Sequence, residues 1–237
     1  MAEARDAARN ARADAPPLDL VLLGPPGAGK GTQARRLTQA FGLVQLSTGE
    51  LLRAATAAGS PAGQAAQAVM TAGGLVPDAT VIAVVEDRLA LPDTAAGVIF
   101  DGFPRTIAQA EALDGLLRSE GRQLGLAISM EVDDALMIER ISGRFTCATC
   151  GEGYHDRFKR PQIAGVCDVC ESTSFTRRTD DTPGIVRDRL QAYHAETAPL
   201  LAHYAATGRL ARVDAMTGID AIADALGALL RDHTGLG

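Results

Sequence analysis

Residues 18–32 read Leu-Asp-Leu-Val-Leu-Leu-Gly-Pro-Pro-Gly-Ala-Gly-Lys-Gly-Thr, an apolar run that breaks into a glycine-rich turn. The aliphatic stretch 18–23 has the pattern of a strand buried on both faces. In 24–32 the glycines let the backbone curl, so the N–H groups of Gly27, Ala28, Gly29, Lys30, Gly31 and Thr32 turn inward at the start of the next helix. That geometry cradles phosphate oxygens. Lys30 adds a mobile positive charge suited to β- and γ-phosphates. The common form of this loop places Ser or Thr directly after the lysine; here Gly31 intervenes and the hydroxyl comes at Thr32.

Outward from this loop, short apolar runs alternate with helical patterns. Strands are predicted at 18–23, 43–47, 97–101, 124–131 and 209–214. Helices are predicted at 29–41, 106–119, 133–143, 184–206 and 217–231. The rhythm specifies an α/β fold, a doubly wound parallel five-stranded sheet. Two stretches interrupt it. Residues 48–77 form a compact helical segment with glycine and proline breaks, and helix 78–90 returns the chain to the core. Residues 145–181 are polar and hold all four cysteines. Both read as insertions at sheet ends, where doubly wound folds place their ligands. The division expected is an arm at 1–17, a core of 18–47, 78–143 and 182–237, and insertions at 48–77 and 144–181.

The chain's 237 residues suffice for one substantial core. A net charge of −6 disfavours a general nucleic-acid or membrane-surface binder. No apolar run approaches the length of a membrane span, and the mixed-charge arm lacks the apolar centre of a secretory signal. A cytoplasmic enzyme is the expectation. Of 23 basic residues, 21 are arginines, so arginine abundance reflects composition and only position is informative.

Two further features carry chemistry. The strand at 97–101 ends in Asp101, whose carboxylate falls beside the first loop and suits Mg²⁺ held through water. Cys147-x-x-Cys150 and Cys167-x-x-Cys170 form two knuckles that bring four thiolates around one structural Zn²⁺; iron accepts the same donors. Four cysteine ligands leave no open position for substrate. The four histidines make no nucleophile–base pattern and read as surface or packing residues.

The stretches GPPGAGKGT at 24–32, LSTGELLR at 46–53, GLVPD at 74–78, DGFPRT at 101–106 and RRTDD at 177–181 together resemble the adenylate kinase family, in its zinc-carrying, long-lid branch. The resemblance implies ATP and AMP as substrates, ADP as product, Mg²⁺ with ATP, a monomer, and a lid at 144–181. It implies that Thr48, Arg53, Leu75, Val76, Gly102, Arg105 and Gln109 hold AMP, with Thr48 and Gln109 reading adenine. Arg140 and Arg144 would address ATP phosphates and Arg178 and Arg189 the phosphates in transit. Tyr154 would lie near ATP, and Arg212 would mark a backbone position near its adenine. Two other readings compete: a kinase for another nucleoside monophosphate, and a zinc-ribbon nucleic-acid binder resting on the knuckles and the basic cluster Arg157, Lys159 and Arg160. The acidic total and the lack of arrayed aromatic residues oppose the second.

Overall fold

The computed structural model describes residues 16–59, 61–72 and 74–235. Residues 1–15 of the expected arm lie outside the described residues. Five parallel strands form the central sheet: β1 (Asp19–Leu23), β2 (Val44–Ser47), β3 (Val98–Asp101), β4 (Leu124–Glu131) and β8 (Leu210–Asp214), in the order β2-β3-β1-β4-β8. The doubly wound parallel sheet of five strands is therefore present. β1 pairs with β3 on one side (Leu22 opposite Asp101) and with β4 on the other (Leu22 opposite Ile128). The chain winds outward in both directions from β1, so a crevice opens at the carboxyl ends of β1 and β3.

Alternate residues of each strand feed the two faces. Val21 and Leu23 of β1 pack with Phe100, with Val81 and Val85 of α4 (Asp78–Leu89) and with Leu113 and Leu117 of α5 (Ile107–Ser119). Leu20 and Leu22 pack on the opposite face with Leu37 and Phe41 of α1 (Lys30–Phe41) and Leu226 and Leu230 of α9 (Ile219–Thr234). The residues of β1 itself are all buried, as a strand covered by helices on both faces requires.

The segment after β2 consists of α2 (Thr48–Ala57) and α3 (Pro61–Thr71), packed against each other before α4. After α6 (Asp134–Ser142), the cysteine-containing stretch forms a small antiparallel sheet, β6-β5-β7, from β5 (Arg144–Cys147), β6 (Gly153–His155) and β7 (Phe175–Thr176). A short helical period was not to be expected there, and none forms.

The single helix predicted at 184–206 is divided. α7 (Pro183–Ala192) and α8 (Pro199–Ala206) are joined by a π-turn at Tyr193–Thr197, in which Ala198 N–H bonds to Tyr193 C=O at 2.8 Å. Pro199 explains the break: it has no N–H to give, and its ring clashes with the carbonyl four residues back, so the turn widens.

At the amino ends of the strands, fully buried Asp19 ties three elements together. It accepts from Val98 N–H at 3.0 Å and from Arg122 Nε at 2.9 Å, and also pairs with Arg122 Nη2. Asp19→Ala leaves a buried guanidinium and a backbone N–H without their acceptor. The expected loss is about 3–5 kcal/mol, measured by urea denaturation.

Candidate functional site

The glycine loop hangs from the carboxyl end of β1. Gly24 takes φ 142°, and a Cβ there would lie 2.8 Å from the Met130 carbonyl; Gly29, at φ 90°, caps α1 in the left-handed region. Neither conformation suits a larger residue. Lys30 folds back over the loop and donates to the carbonyls of Gly24 (2.6 Å) and Pro25 (2.9 Å). Asp101, at the end of β3, accepts from Gln45 Nε2 at 3.0 Å, and its carboxylate faces Gly31 so closely that a Cβ there would sit 3.2 Å away.

The next turn builds a second wall. Thr48 donates its hydroxyl to Gly102 C=O at 2.9 Å. Arg105 Nε donates to the same carbonyl at 2.9 Å, leaving its terminal nitrogens aimed onward. Thr106 caps α5 by accepting from Gln109 N–H at 3.1 Å. Asp78 accepts from the Thr106 hydroxyl (2.9 Å) and from Gln109 Nε2 (2.7 Å), while Gln109 Oε1 accepts from Arg105 N–H (2.7 Å).

These residues enclose two adjoining spaces. A cleft of about 1270 Å³ runs from the loop and Asp101 to the antiparallel sheet, with Arg140, Arg144, Tyr154 and Arg178 along it. A smaller cavity of about 60 Å³ gathers Thr48, Arg53, Leu75, Val76, Gly102, Arg105, Gln109 and Arg189. Residues spread over more than 140 positions of sequence thus meet around one space.

Positive charge converges between the two. Burial is the main force lowering the Lys30 ammonium to about 8; Asp101 opposes the shift, and Arg105, Arg189 and Arg144 reinforce it. Arg105 falls to about 10 through burial, then Arg189, and Arg178 falls to about 10 through burial, then Arg144 and Arg53. Arg189 is lowered too, by burial first. Two acids steady the group: Asp181 accepts from Arg144 Nε at 2.9 Å and Nη2 at 2.6 Å, and Asp180 pairs with Arg189 at 3.1 Å.

Three expected residues stand differently. Arg140 reaches the cleft, donating to Ala215 C=O at 3.2 Å beside the Phe158 ring. Tyr154 touches the cleft but is only 3% exposed. Its hydroxyl donates to Cys167 Sγ at 3.4 Å and accepts from Asp168 N–H at 2.7 Å, and its ring stacks on Phe145. Arg212 lines neither space. Its guanidinium pairs with Glu131 on the neighbouring strand, while the cleft wall on this side is formed by Ala215–Ile219, just after β8. Sequence reading missed that wall because it is a loop without charged or motif residues. It also missed Asp78 and Gln45 as orienting groups. The Thr106-x-x-Gln109 spacing, a capping signal, was legible.

The four cysteine sulfurs lie within 4.8 Å of one another, with Cys147 and Cys170 at 3.5 Å and Cys150 and Cys167 at 3.6 Å. Sulfurs about 2.3 Å from a tetrahedral zinc are separated by about 3.8 Å, so the donor set fits that ion and is too open for disulfides.

Comparison with known proteins agrees with this geometry. The family model described as adenylate kinase matches residues 22–209. An adenylate kinase of Paramagnetospirillum magneticum is 56% identical over 213 residues, covering 90% of this chain and 98% of that protein. Those of Sphingopyxis alaskensis and Rhizobium rhizogenes are 54% and 53% identical, covering 90% and 89% of this chain and 97% and 98% of theirs. With more than half of its residues shared across nearly the whole length of such a relative, this chain belongs to the adenylate kinase family, the ATP:AMP phosphotransferases.

Proposed function

We propose that donor and acceptor divide the cleft between them. ATP lays its triphosphate along Gly27–Thr32, with Lys30 at the β- and γ-phosphates and the loop Ala215–Ile219 beside its base. AMP occupies the smaller cavity. Thr48, Leu75, Val76, Gly102 and Gln109 surround its adenine, and Arg53 and Arg105 meet its phosphate. Arg140 and Arg144 close on the donor phosphates, while Arg178 and Arg189 accompany the phosphoryl group as it passes.

One observation carries this reading: Lys30, Arg53, Arg105, Arg144, Arg178 and Arg189 line one cleft, where burial and neighbouring cations lower Lys30, Arg105 and Arg178. A polyphosphate relieves that repulsion, and the transferring group, with charge spread over three oxygens, is stabilised by it most. Guanidinium forks suit the task because they bind phosphate oxygens in pairs and keep their proton. The acceptor phosphate is already an anion, so no general base is required. Asp101 and Thr32 are the residues that would hold Mg²⁺ accompanying ATP, through water at Asp101, supplying charge neutralisation between the phosphates.

Residues 144–181 act as a lid in this reading, and 48–77 as the acceptor-side segment. Zinc on Cys147, Cys150, Cys167 and Cys170 would stiffen a lid whose buried centre is little more than Cys147, Tyr154 and Cys167. A closed lid excludes water, which otherwise competes with AMP for the phosphoryl group. The enzyme works as a cytoplasmic monomer, without nucleic acid or membrane. Its net charge of −6 and the lack of any membrane-crossing helix among the described residues support that setting.

Coupled assays with ATP should show turnover of AMP well above that of CMP, UMP or GMP, and Arg105→Ala should lower kcat at least ~100-fold with the fold intact. Equal use of CMP, or an unaffected Arg105→Ala enzyme, contradicts the assignment.

The pH profile follows from Lys30. ATP binds the protonated ammonium, so kcat/KM for ATP falls as the free enzyme loses that proton above about pH 8. Bound phosphate favours the charged form, so kcat at saturating ATP holds to higher pH.

Cys150→Ser should lower bound zinc, measured by elemental analysis, and reduce Tm by several degrees, on the order of 2–4 °C for each kcal/mol lost. Turnover at low temperature should change much less. Unchanged metal content and melting would overturn the structural role.

A further inference from the structure

Arg105 sits in irregular backbone between β3 and α5, where no strand or helix ladder supplies hydrogen-bond partners. Its main chain is instead held by two side chains. Arg105 N–H donates to Gln109 Oε1 at 2.7 Å, and Arg105 C=O accepts from the Thr197 hydroxyl at 3.0 Å. Thr197 is 92 positions away in sequence and only 8% exposed. Gln109 belongs to the smaller cavity; Thr197 borders the large cleft, but the proposed nucleotide binding gives it no role.

Its placement comes from the π-turn at Tyr193–Thr197. A π-turn inserts an extra residue and re-aims the side chains within it, which is why such turns recur at functional sites. Here Tyr193 at the start of the turn and Thr197 at its end both line the large cleft, and the Thr197 hydroxyl is given to the Arg105 carbonyl. A threonine hydroxyl inside a helix ordinarily bonds a carbonyl of its own preceding turn; this one is spent on another element. Arg189 lies on α7, directly before the same turn. One helical piece therefore carries Arg189 in its last α-turn and holds the backbone of Arg105 from the π-turn that follows.

We propose that Thr197 is a positioning residue for phosphoryl transfer. Its hydroxyl fixes the Arg105 main chain and keeps the Arg105 guanidinium in register with Arg189. The proposal rests on the reading of Arg105 as a phosphate ligand. It requires that loss of the hydroxyl act on the transfer step, because a guanidinium displaced by a fraction of an ångström still meets AMP but no longer matches the charge that develops in transit.

The test compares Thr197→Val, which keeps shape and removes the hydroxyl, with Thr197→Ser, which keeps the hydroxyl, each also combined with Arg105→Ala. Measured quantities are kcat, KM for AMP, and Tm. Thr197→Val should lower kcat on the order of 10-fold, with KM for AMP changed less and Tm shifted only slightly. Thr197→Ser should recover most of the activity. In the Arg105→Ala background, Thr197→Val should add almost nothing, since the two act as one unit. If Arg105→Ala alone is inactive while Thr197→Val turns over normally, the role of Thr197 falls and that of Arg105 stands. If Thr197→Val lowers kcat equally with and without Arg105, or if Thr197→Ser is as impaired as Thr197→Val, the hydroxyl does not act through Arg105. Full activity of Arg105→Ala removes the foundation of both.

Discussion

Lys30, Arg53, Arg105, Arg144, Arg178 and Arg189 press positive charge together beside the carboxyl ends of β1 and β3, and the surrounding elements serve to hold that arrangement against its own repulsion. Two unit charges about 6 Å apart at an effective dielectric near 20 repel by roughly 3 kcal/mol, so a cluster of six is a standing cost to the fold. Offsetting it are the two apolar layers of the sheet, which bury β1 from both sides, and the acids at the margins. Asp181 grips Arg144 with both oxygens, and Asp180 and Asp181 both face Arg189. These carboxylates orient the guanidiniums without filling the space between them. The site is thus poised for an anion and is built from residues that other parts of the protein must stabilise.

Packing separates the central sheet from the small antiparallel sheet. The glycine loop and the turn after β3 grow directly from central strands. The antiparallel sheet has its own small packing of Phe145, Tyr154 and Phe175 around Cys147 and Cys167. So few buried side chains do not offset the conformational entropy of a segment that long. A metal ion on the four convergent sulfurs, as proposed, would supply what apolar burial does not. At the junction, α6 and α7 share a separate cluster of Met137, Ile141, Val186 and Leu190. The insertion therefore joins the core through a helix pair with its own packing, an arrangement suited to movement as a unit.

Much of this was legible in the residues, and the exceptions have physical causes. Aliphatic runs such as 18–23 and 124–131 announce buried parallel strands because no other element places so many apolar side chains on two faces. The paired cysteine knuckles announce their own convergence. The division of 184–206 was less visible, because a proline deep inside a strongly periodic stretch is compatible with a kink, a break or a π-turn, and only packing decides. Arg212, expected only as a backbone position, spends its side chain elsewhere. Its position beside the site was readable, but its side chain alternates outward along β8 to meet Glu131. Thr197 carried no signal at all: its partner is a backbone carbonyl far away in sequence, and backbone groups leave no trace in composition.

If the smaller cavity takes AMP as proposed, such long-range bonds would translate into selectivity. Thr48 gives its hydroxyl proton to Gly102 C=O, so towards the cavity it presents lone pairs. Gln109 is fixed at both ends, its oxygen on Arg105 N–H and its nitrogen on Asp78, which prevents the amide from flipping. One amide N–H and one oxygen lone pair remain to be offered to a base. Adenine presents a donor amine beside a ring-nitrogen acceptor, the complement of an acceptor oxygen beside an amide N–H. Guanine reverses that order, with a carbonyl where adenine has its amine and a ring N–H where adenine has its acceptor. It would meet an oxygen and an N–H that cannot exchange places, because Asp78 and Arg105 hold them. Leaving such buried groups mispaired costs more than a matched bond gains. On the proposed assignment, a preference for AMP would reside as much in Asp78, which touches no nucleotide, as in Thr48 and Gln109, which would.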